Sequence, residues 1–158
     1  MKIYWRDRRS VRKNVQARLP EMAEEYFTAG RDAMNPKRTW REMHQFRLAT
    51  KEFRYTLELF RPLYEDELEA RLDSVRKIQQ FLGDINDAVS IRERLGDLKG
   101  VDSLLEKLSK KAESKRKALH KYWEGQFDAP GELEAWKIDL VEGAAQPKKQ
   151  QQKVRSRG

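Results

Sequence analysis

Residues 43–64 have the sequence MHQFRLATKEFRYTLELFRPLY, and this stretch decides the fold of the chain. Its apolar side chains recur at intervals of three, four and seven residues, which is the spacing of the core-facing side of an α-helix. They are Met43, Phe46, Phe53, Leu57, Phe60 and Tyr64. The stretch therefore predicts a long amphipathic helix from about Lys37 to Leu63, with Pro62 near its C-terminal boundary.

The remaining sequence predicts further helices, because the same apolar periodicity returns between turn signals. Their expected bounds are about Arg8 to Ala33, Glu65 to Leu82, a short helix from Asp84 to Gly96, Val101 to Phe127, and Glu132 to Val141. We expect Gly83 to end the third helix and Asp84 to cap the short one. The predicted fold is an all-α, antiparallel four-helix bundle with long helices and short accessory helices over residues 1–143, followed by a basic disordered tail, residues 144–158.

The composition limits what the chain can do. Its 158 residues, 38% hydrophobic and 38% charged, predict one modest domain with a highly charged surface. The absence of cysteine excludes disulfides and thiolate chemistry, and two histidines leave little for a metal site, so we predict no metal and no cofactor. Because the N-terminal residues lack the apolar run of a secretory signal and no stretch could cross a bilayer, we expect a cytoplasmic protein that does not contact membranes.

The net charge of +8 is unevenly distributed along the chain. Five lysines and arginines follow Pro147, and without them the net charge falls to +3. Residues 65–102 contain ten acidic and six basic side chains, whereas residues 107–121 contain seven basic side chains and one acidic one. Separate patches of opposite sign favour a directed anion site over a uniformly basic surface.

Four side chains, which we call the basic row, are spaced to lie along one side of the predicted helix. They are His44, Arg47, Lys51 and Arg54, at intervals of three, four and three residues. At about 100° per residue the basic row lies just beside the apolar stripe, at the edge of a groove between packed helices. This position favours an anion-binding site, and the alternative is an ordinary solvated charged face.

Further cations are secondary candidates for the same groove. They include Arg76 and Lys77 on the third predicted helix, and Lys111 and Lys115 on the long helix that follows. Arg76 and Lys115 are the preferred pair, because each lies beside the predicted inner stripe of its helix. The alternative for each is a solvated lysine or arginine. Asp84 and Asp87 have predicted structural roles at a helix N-terminus, and the alternatives are metal ligation with Asn86 or pairing with an arginine of the basic row.

Two strings resemble a known family. The first is HQFRLATKEFRYTLELF, residues 44–60, and the second is IQQFLGDIND, residues 78–87. Together they are similar to the signature of the CHAD family, the conserved histidine α-helical domain, and the similarity extends over roughly Arg8 to Phe127. Lys51 stands where the family more usually has arginine, and Glu52 stands where it often has a second basic residue.

The resemblance implies non-catalytic binding of inorganic polyphosphate by a helical bundle, with association with polyphosphate granules. It makes His44, Arg47, Lys51 and Arg54 phosphate-contacting residues. The usual member of the family resembles two similar halves, and this chain has the length of one half. The resemblance therefore also implies a half-length, single-repeat member in which a homodimer would restore the two-half arrangement. A metal-dependent hydrolase or kinase would need facing carboxylates or a glycine-rich loop, which the sequence lacks, so we predict no enzymatic activity. The alternatives are a nucleic-acid-binding basic helical protein and a helical adaptor or accessory subunit of a phosphate-metabolising enzyme.

Overall fold

The computed structural model describes residues 6, 8–64 and 66–145, and over these residues the protein is helical with no strand. The elements are α1, Val11–Ala33; α2, Trp40–Phe60; a 3-10 turn, Arg61–Leu63; α3, Glu67–Leu95; α4, Asp102–Gln126; and α5, Glu132–Ala145. The predicted all-α helical bundle is confirmed. No helix of the described part of the chain has the length and apolar character needed to cross a membrane.

The order of packing places α2 in the middle of the bundle. It lies between α1 and α3, while α3 also packs along α4 and α1 also packs along α5. A cluster of buried rings joins these helices: Trp123 of α4 stacks on Phe127 with centroids 4.4 Å apart, and Tyr26 of α1 stacks on Phe53 of α2 at 4.6 Å. Every apolar residue of the predicted α2 stripe, from Met43 to Tyr64, is buried in this core. The rotation of α2 about its axis, and therefore the direction of the basic row, follows from this burial.

The start of α2 is set by local hydrogen bonds. The Thr39 side chain accepts a hydrogen bond from the backbone N–H of Glu42, while the Glu42 carboxylate accepts one from the backbone N–H of Thr39. This reciprocal capping box satisfies two backbone donors that a helix would otherwise leave without partners. It fixes the first turn of α2 immediately before His44.

The predicted helix break at Gly83 is wrong. Helix α3 continues without interruption from Glu67 to Leu95, so Asp84 lies in its interior and does not cap a new helix. The reason is burial on both sides of the glycine, since Leu82 and Ile85 belong to one apolar stripe that continues to Val89. That burial outweighs the roughly 1 kcal/mol by which an interior glycine destabilises a helix.

The predicted end of the bundle at residue 143 is two residues too early. Helix α5 continues to Ala145, and the side chain of Ala144 is fully buried. The helix is held by Tyr64, whose hydroxyl donates to the Leu140 carbonyl at 2.7 Å, and by Arg71, which lies over the Trp136 ring. The rest of the predicted tail, residues 146–158, lies outside the described residues.

Candidate anion-binding site

The basic row lies along the side of α2 that faces α3. Its four side chains fall within about 80° of one another around the helix axis and are all half-buried. They extend over about 15 Å of helix. Two residues of α3 contact the two ends of the row, so the row follows the line along which α2 packs against α3, and we call this line the α2–α3 groove.

One end of the row is held by Asn86. His44 Nδ1 lies 3.0 Å from the Asn86 Oδ1 atom. Because a carbonyl oxygen can only accept, Nδ1 carries the proton and donates. In the neutral ring the other nitrogen, Nε2, is then an acceptor, so His44 has no N–H left to donate to an anion and contributes to the site through its contact with Asn86.

The other end of the row is held by both a neutral and an acidic side chain. Arg54 Nε donates to the Gln79 Oε1 atom of α3, and its Nη1 lies 2.7 Å from Glu58 Oε1. The guanidinium also lies over the Tyr55 ring, 4.3 Å from its centroid. Arg54 is therefore oriented and partly neutralised by the protein itself.

The two residues in the middle of the row, Arg47 and Lys51, differ from those at its ends. Among the described residues, no carboxylate pairs with Arg47 or Lys51. Arg47 Nε is buried and has no hydrogen-bond partner in the described part of the chain. The Lys51 ammonium lies 5.7 Å from the centroid of the Tyr55 ring, which attracts a cation without neutralising it. Arg18 Nε and Trp123 Nε1 are also buried without a partner in the described residues, but Arg18 is paired with two glutamates. Only at Arg47 does a buried donor without an acceptor lie next to a second cation, Lys51, that lacks an acidic partner in the described chain, and a ligand oxygen placed there would be stabilising.

Arg76 lies at the same groove, but it is already paired. Its guanidinium contacts Glu69 and Asp73 of α3, each at 2.9 Å, and Glu58 of α2 at 3.4 Å. The hydrogen bond with Glu69 is the largest cause that raises the pKa of Arg76 above its ordinary value. The side chain therefore links α2 to α3 and presents less net positive charge than the sequence suggests.

Lys77, Lys111 and Lys115 lie on the side of α3 that packs against α4. The expectation that they line the same groove as the basic row is therefore wrong. Lys115 Nζ lies 3.4 Å from Asp84 Oδ2, and Lys111 is exposed one turn earlier on α4. Lys77 Nζ lies 5.0 Å from the centroid of the Phe81 ring, which in turn packs against Tyr122 of α4. Helix α3 separates these three lysines from the basic row. The preferred pair, Arg76 and Lys115, is split by the same helix.

The carboxylates near Gly83 do not form a metal site in the described residues. No group of three or more histidine, aspartate or glutamate side chains there could hold a metal ion. Asp84 pairs with Lys115, and Asp87 is exposed in the interior of α3. Asn86, which the sequence suggested only as a metal ligand, instead orients His44.

Sequence reasoning missed the residues that complete the groove. Gln79 and Asn86 hold the two ends of the row, and Glu58 supplies the shared acid. The four-residue spacing of Arg54 and Glu58 on one helix is a signal that could have identified that ion pair. The seven-residue spacing of Gln79 and Asn86 becomes informative only once α3 is known to be continuous.

The protein-family model for the CHAD domain matches residues 4–96, which is more than half of the chain. Comparison with curated proteins and with solved structures gave no match. The chain therefore belongs to the CHAD family. The matched residues include α1, α2 and α3, and so both sides of the α2–α3 groove, and they end before α4. Membership of this family suggests a role related to polyphosphate.

Proposed function

We propose that the α2–α3 groove binds inorganic polyphosphate without catalysing a reaction, and that Arg47 and Lys51 make the principal contacts. The observation that carries the proposal is the buried Arg47 Nε donor without a partner, next to a lysine without an acidic partner in the described chain. A phosphate oxygen placed there would accept the missing hydrogen bond and neutralise both cations. Binding of this kind would hold the protein on polyphosphate deposits.

The dimensions of the row suit a linear polyanion. Polyphosphate carries about one negative charge per unit and has no base or sugar, so its recognition rests on charge-assisted hydrogen bonds and counterion release. A row of about 15 Å is long enough to meet several phosphate units in succession. The planar guanidinium of Arg47 can donate to two oxygens, whereas Lys51 supplies a compact charge.

A binding role also agrees with the ion pairs of Glu58, the acidic residue that contacts the basic row. Glu58 is shared between Arg54 and Arg76, at 2.7 Å and 3.4 Å. Its carboxylate is therefore engaged in orienting arginines. We propose on this basis that the groove holds the polymer and leaves its phosphoanhydride bonds intact.

The proposal is tested by calorimetric titration with long-chain polyphosphate at about 0.15 M salt, where weak nonspecific attraction is screened. The variant Arg47→Ala/Lys51→Ala should bind at least about tenfold more weakly, since charged hydrogen bonds contribute about 1.5–3 kcal/mol each and 1.4 kcal/mol is a factor of ten. The matched control is Lys117→Ala/Lys121→Ala, which removes two exposed cations at the same four-residue spacing on α4. Equal losses in the two variants would contradict the proposal and indicate a generic basic protein.

Nucleic acid is the rival ligand, because Tyr55 is a half-exposed ring beside the row and could stack on a base. One face of this ring is already covered by the Arg54 guanidinium. Titration with a DNA duplex and a single strand at equal phosphate concentration separates the two ligands. Binding of either DNA as tightly as polyphosphate would favour the nucleic-acid alternative.

We also propose that the protein forms a homodimer through the outward face of α2. Leu48, Tyr55 and Leu59 lie on this face at intervals of seven and four residues and are 44%, 51% and 67% exposed. An isologous contact there would bury the apolar stripe and bring two basic rows close together. Sedimentation should give a dimer mass for the wild type and a monomer mass for Leu48→Glu/Leu59→Glu. The control is Leu98→Glu/Leu104→Glu, which changes two exposed leucines away from α2 and should leave the dimer intact. A monomeric wild type at micromolar concentration would contradict the dimer.

A further inference from the structure

Close packing explains why some positions inside helices are glycine, but it does not explain all of them. A Cβ atom at Gly30 would lie 2.0 Å from the Trp123 ring, and one at Gly143 would lie 2.8 Å from the Tyr64 ring. Both positions therefore require glycine for close helix packing. Gly83 is different, because a Cβ atom there would meet no atom of the described residues within 4 Å, and its φ is not positive.

An interior glycine destabilises a helix relative to alanine, so Gly83 has a cost that the fold alone does not explain. The residue lies in the middle of α3, with at least twelve helical residues on each side. Gly125 also has open space, but it is exposed in the last turn of α4, where helix order matters less. The open space at Gly83 is therefore the unexplained case.

The contacts across the groove locate Gly83 opposite the centre of the basic row. Asn86 contacts His44 and Gln79 contacts Arg54, so α2 and α3 run in opposite directions along the groove. Gly83 lies between these two α3 residues at intervals of four and three, which places it on the same side of α3. Its level along the groove is that of Arg47 and Lys51, the two cations without acidic partners in the described chain.

The amides on either side of Gly83 are oriented by the basic row. The Gln79 side-chain oxygen accepts from Arg54, and the Asn86 side-chain oxygen accepts from His44. Each amide therefore has its NH₂ group left to donate to another acceptor. Gln79 and Asn86 are about 10 Å apart along the helix, with the open space at Gly83 between them.

We infer that Gln79, Gly83 and Asn86 form the second wall of the phosphate site, in which the two amides donate to phosphate oxygens and the missing side chain of Gly83 leaves room for the polymer. This inference rests on the proposed function. The wall admits a narrow, unbranched phosphate chain that lies lengthwise between α2 and α3. It excludes a DNA duplex, because a duplex is too wide to lie between the two helices. The groove thereby selects by shape as well as by charge.

The test compares Gly83→Ala with Gly125→Ala by thermal unfolding and by titration with long-chain polyphosphate. Both variants should unfold at or above the wild-type temperature, because alanine favours the helix and neither Cβ atom meets another group. Only Gly83→Ala should bind polyphosphate several-fold more weakly, and Gly83→Leu should bind more weakly still. Weak binding to a DNA duplex should be the same in all variants.

A further variant examines the amide wall. Gln79→Glu keeps an oxygen that accepts from Arg54 but removes the NH₂ donor and adds a negative charge, so it should weaken polyphosphate binding several-fold in a folded protein. Wild-type affinity in Gly83→Ala, or a lower unfolding temperature for that variant, would overturn the role of Gly83. Failure of the wild type itself to bind polyphosphate is a separate outcome that overturns the proposed function and the wall with it.

Discussion

Replacing Glu58 with glutamine should strengthen polyphosphate binding while slightly destabilising the protein. The Glu58 carboxylate lies 2.7 Å from Arg54 and 3.4 Å from Arg76, so it competes with any anion for both guanidinium groups. Glutamine has almost the same shape and keeps an oxygen that can accept from Arg54. The substitution therefore removes the charge and retains most of the local geometry.

The expected size follows from Coulomb's law. A phosphate bound near Arg54 would lie about 6 Å from Glu58, where two unit charges repel by about 0.7 kcal/mol at the dielectric constant of water. Removing that repulsion should tighten binding by about threefold, and by more if the groove is less polarisable than water. Stability should fall by no more than about 1 kcal/mol, because Glu58 is 30% exposed and solvent screens its ion pairs.

Calorimetric titration at several salt concentrations measures this effect, and urea denaturation measures the stability. The matched control is Glu113→Gln on α4, which changes the net charge equally but is exposed on a different helix. A Glu58→Gln protein that binds more weakly than wild type would refute the reasoning, since it would mean that a glutamine oxygen cannot orient Arg54 and that the negative charge of Glu58 is needed for binding. Equal tightening in the control would also refute it, because the gain would then come from total charge.

Three other perturbations have definite expected results. Thr39→Ala should cost about 1 kcal/mol of stability in urea denaturation at pH 7. The backbone N–H of Thr39 is the largest cause that lowers the pKa of Glu42, and this substitution leaves it in place, so only the part of the cost that comes from the hydrogen bond between the Thr39 hydroxyl and the Glu42 carboxylate should disappear as the pH falls and Glu42 becomes protonated. Gly30→Ala should lower the free energy of unfolding by about 1–3 kcal/mol, since its Cβ would overlap the Trp123 ring, and an unchanged unfolding temperature would contradict this packing. Truncation of residues 147–158 removes five cations and should weaken polyphosphate binding and reduce its salt dependence without abolishing it; complete loss in titration would move the site to the tail.

The sequence predicted the basic row because helix periodicity alone determines which side of a helix a residue occupies. Once Met43 and Phe53 were assigned to the core, the positions of His44 and Arg54 beside that core followed without knowledge of the other helices. The burial of Trp136 in α5 was predictable for the same reason. These are local consequences of one helix and its apolar stripe.

The pairing of side chains between helices was not predictable in this way. Whether Lys115 reaches the α2–α3 groove or the other side of α3 depends on how α4 packs, and the sequence of α4 alone does not determine that. The continuity of α3 through Gly83 depends on burial supplied by neighbouring helices, which outweighs the local preference of glycine for a helix end. The contacts of Gln79 and Asn86 with the row became visible only when that continuity was known.

The most direct test of the central claim observes Arg47 itself. Nuclear magnetic resonance resolves the Nε–H signals of arginines, and titration with long-chain polyphosphate should shift the Arg47 Nε–H signal and slow its exchange with water, because a phosphate oxygen then accepts its hydrogen bond. The Arg38 signal, from a guanidinium already paired with Asp32 and Glu42, should change little. An unchanged Arg47 signal at saturating polyphosphate, with shifts confined to the arginines of the tail, would contradict binding in the α2–α3 groove.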